Sequence, residues 1–153
     1  MKIIFFLLIF SQCAFAQTPK PFKTCSKTVN YTVDDYVLRK KVGMDLHIPV
    51  SNPSYFGGVN ALKKIFAANP IDDSIYMFRT SICFVVNCKG QIGDFQFLVD
   101  GKVEERQKQV LDKVKKMSGI WKPAISKDGK PVDSYQVITL TTKGSEIIDV
   151  EYR

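Results

Sequence analysis

Arg79-Thr80-Ser81-Ile82-Cys83-Phe84-Val85-Val86-Asn87-Cys88-Lys89-Gly90-Gln91-Ile92-Gly93-Asp94-Phe95-Gln96-Phe97-Leu98-Val99 is the stretch on which the reading of the fold turns. Its first part is rich in β-branched and aromatic residues, with Ile82, Phe84 and Val86 on one face of a strand and Cys83 and Val85 on the other. Asn87 to Gly90 has the composition of a tight turn, and Ile92, Phe95, Phe97 and Val99 continue as a second strand. A β-hairpin follows. Both faces of its first strand carry apolar residues, so both need cover.

Outward from the hairpin the pattern changes from strand to helix. Upstream, Val59, Leu62, Ile65 and Phe66 recur at three- and four-residue spacing, an amphipathic helix opened by Gly57-Gly58 and stopped by Asn69-Pro70. Downstream, Lys102 to Met117 places Val103, Val110, Leu111, Val114 and Met117 on one face of a second helix. Lys102, Lys108, Lys113, Lys115 and Lys116 fall mostly on the other. Ile120 to Pro123 reads as an irregular apolar segment, Lys127 to Pro131 as a turn, and Tyr135 to Thr141 as a third core strand. Lys143-Gly144-Ser145 turns the chain into an alternating segment, Ile147 to Tyr152, that completes a terminal hairpin. The expected fold is therefore α+β: a small antiparallel sheet of about three core strands plus a C-terminal extra strand, with two helices packed on one face.

The N-terminal third reads differently. Lys2, the apolar run Ile3 to Phe10 and Ala14-Phe15-Ala16 form a secretory signal peptide with cleavage expected after Ala16. Ile3 to Ala16 is shorter than the roughly 20 apolar residues that cross a bilayer. Cys13 offers a second reading as a lipid attachment site, although Gln12 stands where a small residue is expected. From Gln17 to about Lys27 the chain is polar with Pro19 and Pro21 and reads as a flexible lead-in. Val29 to Leu38 and Met44 to Val50 are extended segments flanking Arg39-Lys40-Lys41. The expected organisation is residues 1–16 signal, 17–50 N-terminal extension, 51–142 folded domain and 143–153 extra strand.

The cysteines suit an oxidising compartment, and after cleavage Cys25, Cys83 and Cys88 remain, an odd number that leaves one thiol over. With Cys88 in the turn, Cys83 lies ~13 Å back along its strand, too far to bridge. The disulfide options are Cys25 with Cys83 or Cys25 with Cys88. The alternative is that Cys83 is a small apolar strand residue and Cys88 an exposed turn residue.

Several local sequences occur in an order that resembles the C-terminal domain of TonB, in the form found in Bacteroidetes-type bacteria. They are Pro53-Ser54-Tyr55-Phe56-Gly57-Gly58 with Ala61-Leu62, Phe84-Val85-Val86 with its turn through Gly90 and Ile92, Val110 to Trp121-Lys122-Pro123, and Gly129-Lys130-Pro131-Val132. The resemblance covers roughly residues 50 to 142. It implies a periplasmic module that works by binding, pairing with an extended peptide of an outer-membrane receptor by strand addition at a sheet edge. The candidate edge is Tyr135, Gln136, Val137, Ile138, Thr139, Leu140 and Thr141. The chain departs from the family in its cleavable leader, its lack of a long Pro-rich spacer, and the short Asn69 to Thr80 segment without a Tyr-Pro pattern. Glu146 to Tyr152 could also fold back onto the candidate edge and occupy it.

The chemistry of the chain points away from catalysis. Twenty-two Lys and Arg against 15 Asp and Glu give a net charge of +7, a bias toward anionic partners that does not by itself imply nucleic acid. One histidine and four cysteines cannot build a His-rich or regularly spaced cysteine metal site. His47 with Asp45 has no nucleophile motif nearby, and Asp34-Asp35 and Asp72-Asp73 lack the spacing of a calcium loop. Gly57-Gly58 lacks the Gly-Lys-Ser/Thr continuation of a phosphate loop and reads as a turn. Trp121 reads as core. Asn30-Tyr31-Thr32 fits a glycosylation sequon, of consequence only in a eukaryotic secretory pathway. No cofactor, metal or small-molecule substrate is expected. The alternatives to receptor binding are a basic envelope module whose lysine face holds an anionic glycan or lipid, a structural domain with a self-sealed edge, and a homodimer through the edge.

Overall fold

The computed structural model of the protein describes residues 21–31, 38–40, 48–67, 77–99, 102–117, 120–143 and 146–152. Within them lies an α+β fold. Its elements run β1 (Ser54–Tyr55), α1 (Gly58–Ala67), β2 (Met77–Val86), β3 (Ile92–Phe97), α2 (Glu105–Lys115), β4 (Trp121–Lys122), β5 (Ala124–Ile125), β6 (Pro131–Val132), β7 (Ser134–Lys143) and β8 (Glu146–Tyr152). Four strands form one antiparallel sheet in the order β3-β2-β7-β8, and β1-β4 and β5-β6 are separate two-stranded pairs. The segment read from sequence as irregular, Ile120 to Pro123, thus supplies a short strand, with Tyr55 opposite Trp121.

The hairpin forms where its sequence places it, with an added feature. Asn87 closes the turn: its backbone N–H donates to the Gln91 carbonyl, and its side-chain oxygen accepts from the amides of Lys89 and Gln91. Between Cys83 and Val85 the register slips against β3, where Asp94 adopts φ 51°. This bulge inserts one residue and reverses the alternation, so Ile92, before it, and Phe95 and Phe97, after it, all reach the same core. The three-residue step from Ile92 to Phe95 in the sequence is this bulge.

That core lies on the helix face of the sheet. Ile82, Phe84 and Val86 of β2, Ile138 and Leu140 of β7 and Val150 of β8 pack with Leu62 and Phe66 of α1, Val110 and Val114 of α2, Met117, Tyr55 and Trp121. Trp121 meets Phe84 and Tyr55 edge-on at centroid distances of 5.2 and 5.3 Å and is core, as read. The second helix is shorter than its periodicity suggests. Gln107 Oε1 accepts the Glu104 N–H at 2.7 Å, which caps the helix there and leaves Lys102 ahead of it.

The opposite face is also closed, and here the structure corrects the sequence reading. Tyr31 and Leu38, from the N-terminal extension, cover Cys83 and Val137, with Leu98 and Tyr135 alongside. Phe22 sits against Gly93 so closely that a Cβ there would collide with the ring. Residues 21–31 are therefore fastened to the fold rather than forming a loose lead-in. Most of the Met44 to Val50 segment, the end of the first helix at Asn69-Pro70, the signal segment with Cys13, and Asp34-Asp35, Asp45, His47 and Asp72-Asp73 lie outside the described residues.

Candidate functional site

A sheet that binds by strand addition must offer unpaired backbone N–H and C=O groups along an edge. Tyr135 to Thr141 does not offer them. Met77 to Val86 pairs residue by residue with Ser134 to Lys143 on one side of β7. On its other side β8 pairs Ile138 with Tyr152, Thr139 with Glu151, Leu140 with Val150 and Thr141 with Asp149. The remaining end meets the N-terminal extension, where the Tyr135 N–H donates to the Asn30 carbonyl at 2.8 Å and the Asn30 N–H to the Asp133 carbonyl at 2.9 Å. Tyr135, Gln136, Val137, Ile138, Thr139, Leu140 and Thr141 thus form an inner strand. The reason is that Glu146–Tyr152, close behind β7 in sequence, runs back antiparallel along its nearest unpaired backbone and buries Val150 in doing so.

The outermost strands among the described residues are β3 and β8. Both carry a bulge, a known way of blunting an edge: β3 at Asp94, and β8 where the register slips between its partners Thr141 and Thr142. The β8 edge runs for seven residues, fixed from behind by exposed ion pairs from Lys63 to Asp149 at 3.3 Å and Arg79 to Glu151 at 3.4 Å.

The extension is locked by a second cluster. Cys25 and Cys88 form a disulfide with a Cα separation of 6.0 Å, while Cys83 is a buried free thiol, so of the two pairings the one with Cys88 is realised. Beside it lies Asp133, 1% exposed. One carboxylate oxygen accepts the amides of Cys25 and Ser26 at 2.7 and 2.8 Å, and the other accepts the amide of Cys88 at 2.8 Å. The sulfurs and carboxylate lie as close together as metal ligands do, but the sulfurs are bonded to each other and the carboxylate oxygens are engaged. The arrangement is structural. Its cysteines were legible as a pair in the sequence, whereas Asn30 and Asp133 carry no signal there for this role.

The five lysines do not make one basic surface. Lys102 is exposed ahead of α2. Lys108 pairs with Glu105 at 2.9 Å and Lys115 with Asp112 at 3.3 Å, each one turn away. Only Lys113 and Lys116 converge, on one small cavity. Tyr135 stacks edge-on against Tyr31 at 6.0 Å. Burial raises its phenol pKa above the usual value, and Cys83, Asp94 and Tyr31 add to the rise. Burial does the same to Tyr55.

Among the described residues no helix is long and apolar enough to cross a membrane. No family model, no curated protein and no solved structure matches the chain.

Proposed function

We propose that the protein is a non-catalytic binding module of the bacterial periplasm that takes an extended peptide of an outer-membrane transport protein as a further strand, on the outer side of β8. The resemblance of residues 50 to 142 to the TonB C-terminal domain supplies the partner class, and the N-terminal leader supplies the compartment. The observation that carries the reading is the strand order β3-β2-β7-β8: β7 is paired on both sides, and Glu146–Tyr152, the strand that covers the expected edge, is left outermost beside it. Seven residues suffice for a strand of ordinary length. Backbone pairing would provide affinity, and alternate side chains of the peptide would provide selectivity.

The basic-surface alternative gains little from the geometry, because two of its lysines are already matched by acids on their own helix. The test is an amide NMR titration of the purified protein with peptides from the periplasmic ends of outer-membrane receptors, at low and high salt. Shifts along 146–152 that persist in salt are expected. A chain ending at Thr142 should lose them. Shifts that move onto Tyr135 to Thr141 in that shortened chain would instead mean that the partner and β8 compete for the same edge. No shift in either folded chain would refute strand addition.

A further inference from the structure

Between α1 and the C-terminal end of α2 the surface opens into a cavity of about 230 Å³ lined by Ile65, Lys113, Lys116, Met117 and Ile120. Its walls are mostly hydrocarbon. Met117 is buried, whereas Ile120 is 39% exposed, a large apolar side chain left to solvent. Lys113 differs from its neighbours: its Nζ is buried and makes no hydrogen bond among the described residues, while Lys108 and Lys115 on the same helix have acidic partners. Burial, and then the charge of Lys116, lowers the Lys113 pKa from its usual value. A buried ammonium without a counter-charge is unfavourable, and an anion brought beside it offsets that cost. A second cation, Lys116, lines the same opening.

We propose that this cavity binds a short aliphatic carboxylate, with its chain against Ile65, Met117 and Ile120 and its head between the ammonium groups of Lys113 and Lys116. At roughly 30 Å³ per water-sized group the space suits about eight non-hydrogen atoms, the size of hexanoate. Apolar lining with a few convergent polar groups is the usual make-up of a ligand site. The proposal rests on side chains of α1, α2 and the segment after it and uses no residue of β8, so it stands or falls independently of peptide binding.

The test is a methyl-resolved NMR titration of the purified protein with hexanoate, hexanol and inorganic phosphate. Hexanoate is expected to shift the methyl resonances of Ile65, Met117 and Ile120 saturably and to bind at least about tenfold more tightly than hexanol, since a hydrogen bond to a charged group is the stronger kind. Phosphate, which lacks the chain, should bind more weakly than hexanoate. Lys113→Met should abolish the preference for the acid over the alcohol, and Lys102→Met should leave it intact. The proposal is overturned if the acid and the alcohol bind alike, if phosphate matches hexanoate, or if those three methyl groups stay unmoved up to about 10 mM ligand.

Discussion

Single residues decide whether the extension stays on the fold, and Asp133 is the clearest case. Its carboxylate receives amides from Cys25, Ser26 and Cys88, groups more than a hundred residues away in two of the three cases. Asp133→Ala removes the acceptor of three part-buried hydrogen bonds, and at about 0.5–1.5 kcal/mol for each a loss of about 2–4 kcal/mol is expected in urea unfolding. A loss below about 1 kcal/mol would mean that water replaces the carboxylate. Gly90 is constrained in another way. It has φ +75° and lies against the Trp121 backbone carbonyl, where a Cβ would collide. Gly90→Ala should cost more than about 1 kcal/mol in the same measurement. The turn glycine was readable from the Asn-Cys-Lys-Gly sequence, but the carbonyl that crowds it was not. Tyr135 and Tyr55 set the alkaline limit. Their folded pKa values are raised, so the folded state keeps protons that the unfolded state has released. Their contribution is complete below about pH 10 and is lost as pH rises beyond it. Urea midpoints should fall across that range, and Tyr135→Phe should flatten the fall.

At the scale of elements, most of the strand and helix content was legible because the side-chain period announces it. Ile82, Phe84 and Val86 mark β2, and Val59, Leu62, Ile65 and Phe66 mark α1. Periodicity could not decide which strand ends up outermost, because pairing depends on where the chain goes after its turn. The expected edge, Tyr135 to Thr141, was therefore placed one strand too far out. Removing β8 by ending the chain at Thr142 would expose Ile138 to Thr142 and delete Val150 from the core. The loss of Val150 burial alone corresponds to about 1.5–3 kcal/mol. The shortened chain should therefore unfold at lower urea and dimerise through the uncovered strand in sedimentation, whereas the full chain should not dimerise there. A shortened chain that remains monomeric at every concentration would show that the end of β7 is protected by something other than β8.

At the scale of the whole molecule, the sheet is a layer with cover on both sides, helices on one and the N-terminal extension on the other. The Cys25–Cys88 disulfide closes a loop with a sequence separation of 63 residues. A loop of that size is worth about 4 kcal/mol in the chain-entropy account. Reduction, or Cys25→Ser, should lower the unfolding free energy by about 2–4 kcal/mol and speed hydrogen exchange in residues 21–31. Unchanged stability would mean that Asp133 and the Tyr31 packing hold the extension unaided. The sequence by itself determined what local patterns can encode: the hairpin, the two amphipathic helices and the antiparallel α+β class. Each follows from side-chain period, turn chemistry or composition within a short window. Only the tertiary structure decided which cysteine joins Cys25, which residues cover Cys83 and Val137, and whether β7 or β8 lies outermost. Those outcomes depend on pairs of groups distant in sequence, whose contacts are selected by burying apolar surface and satisfying backbone amides across the whole fold.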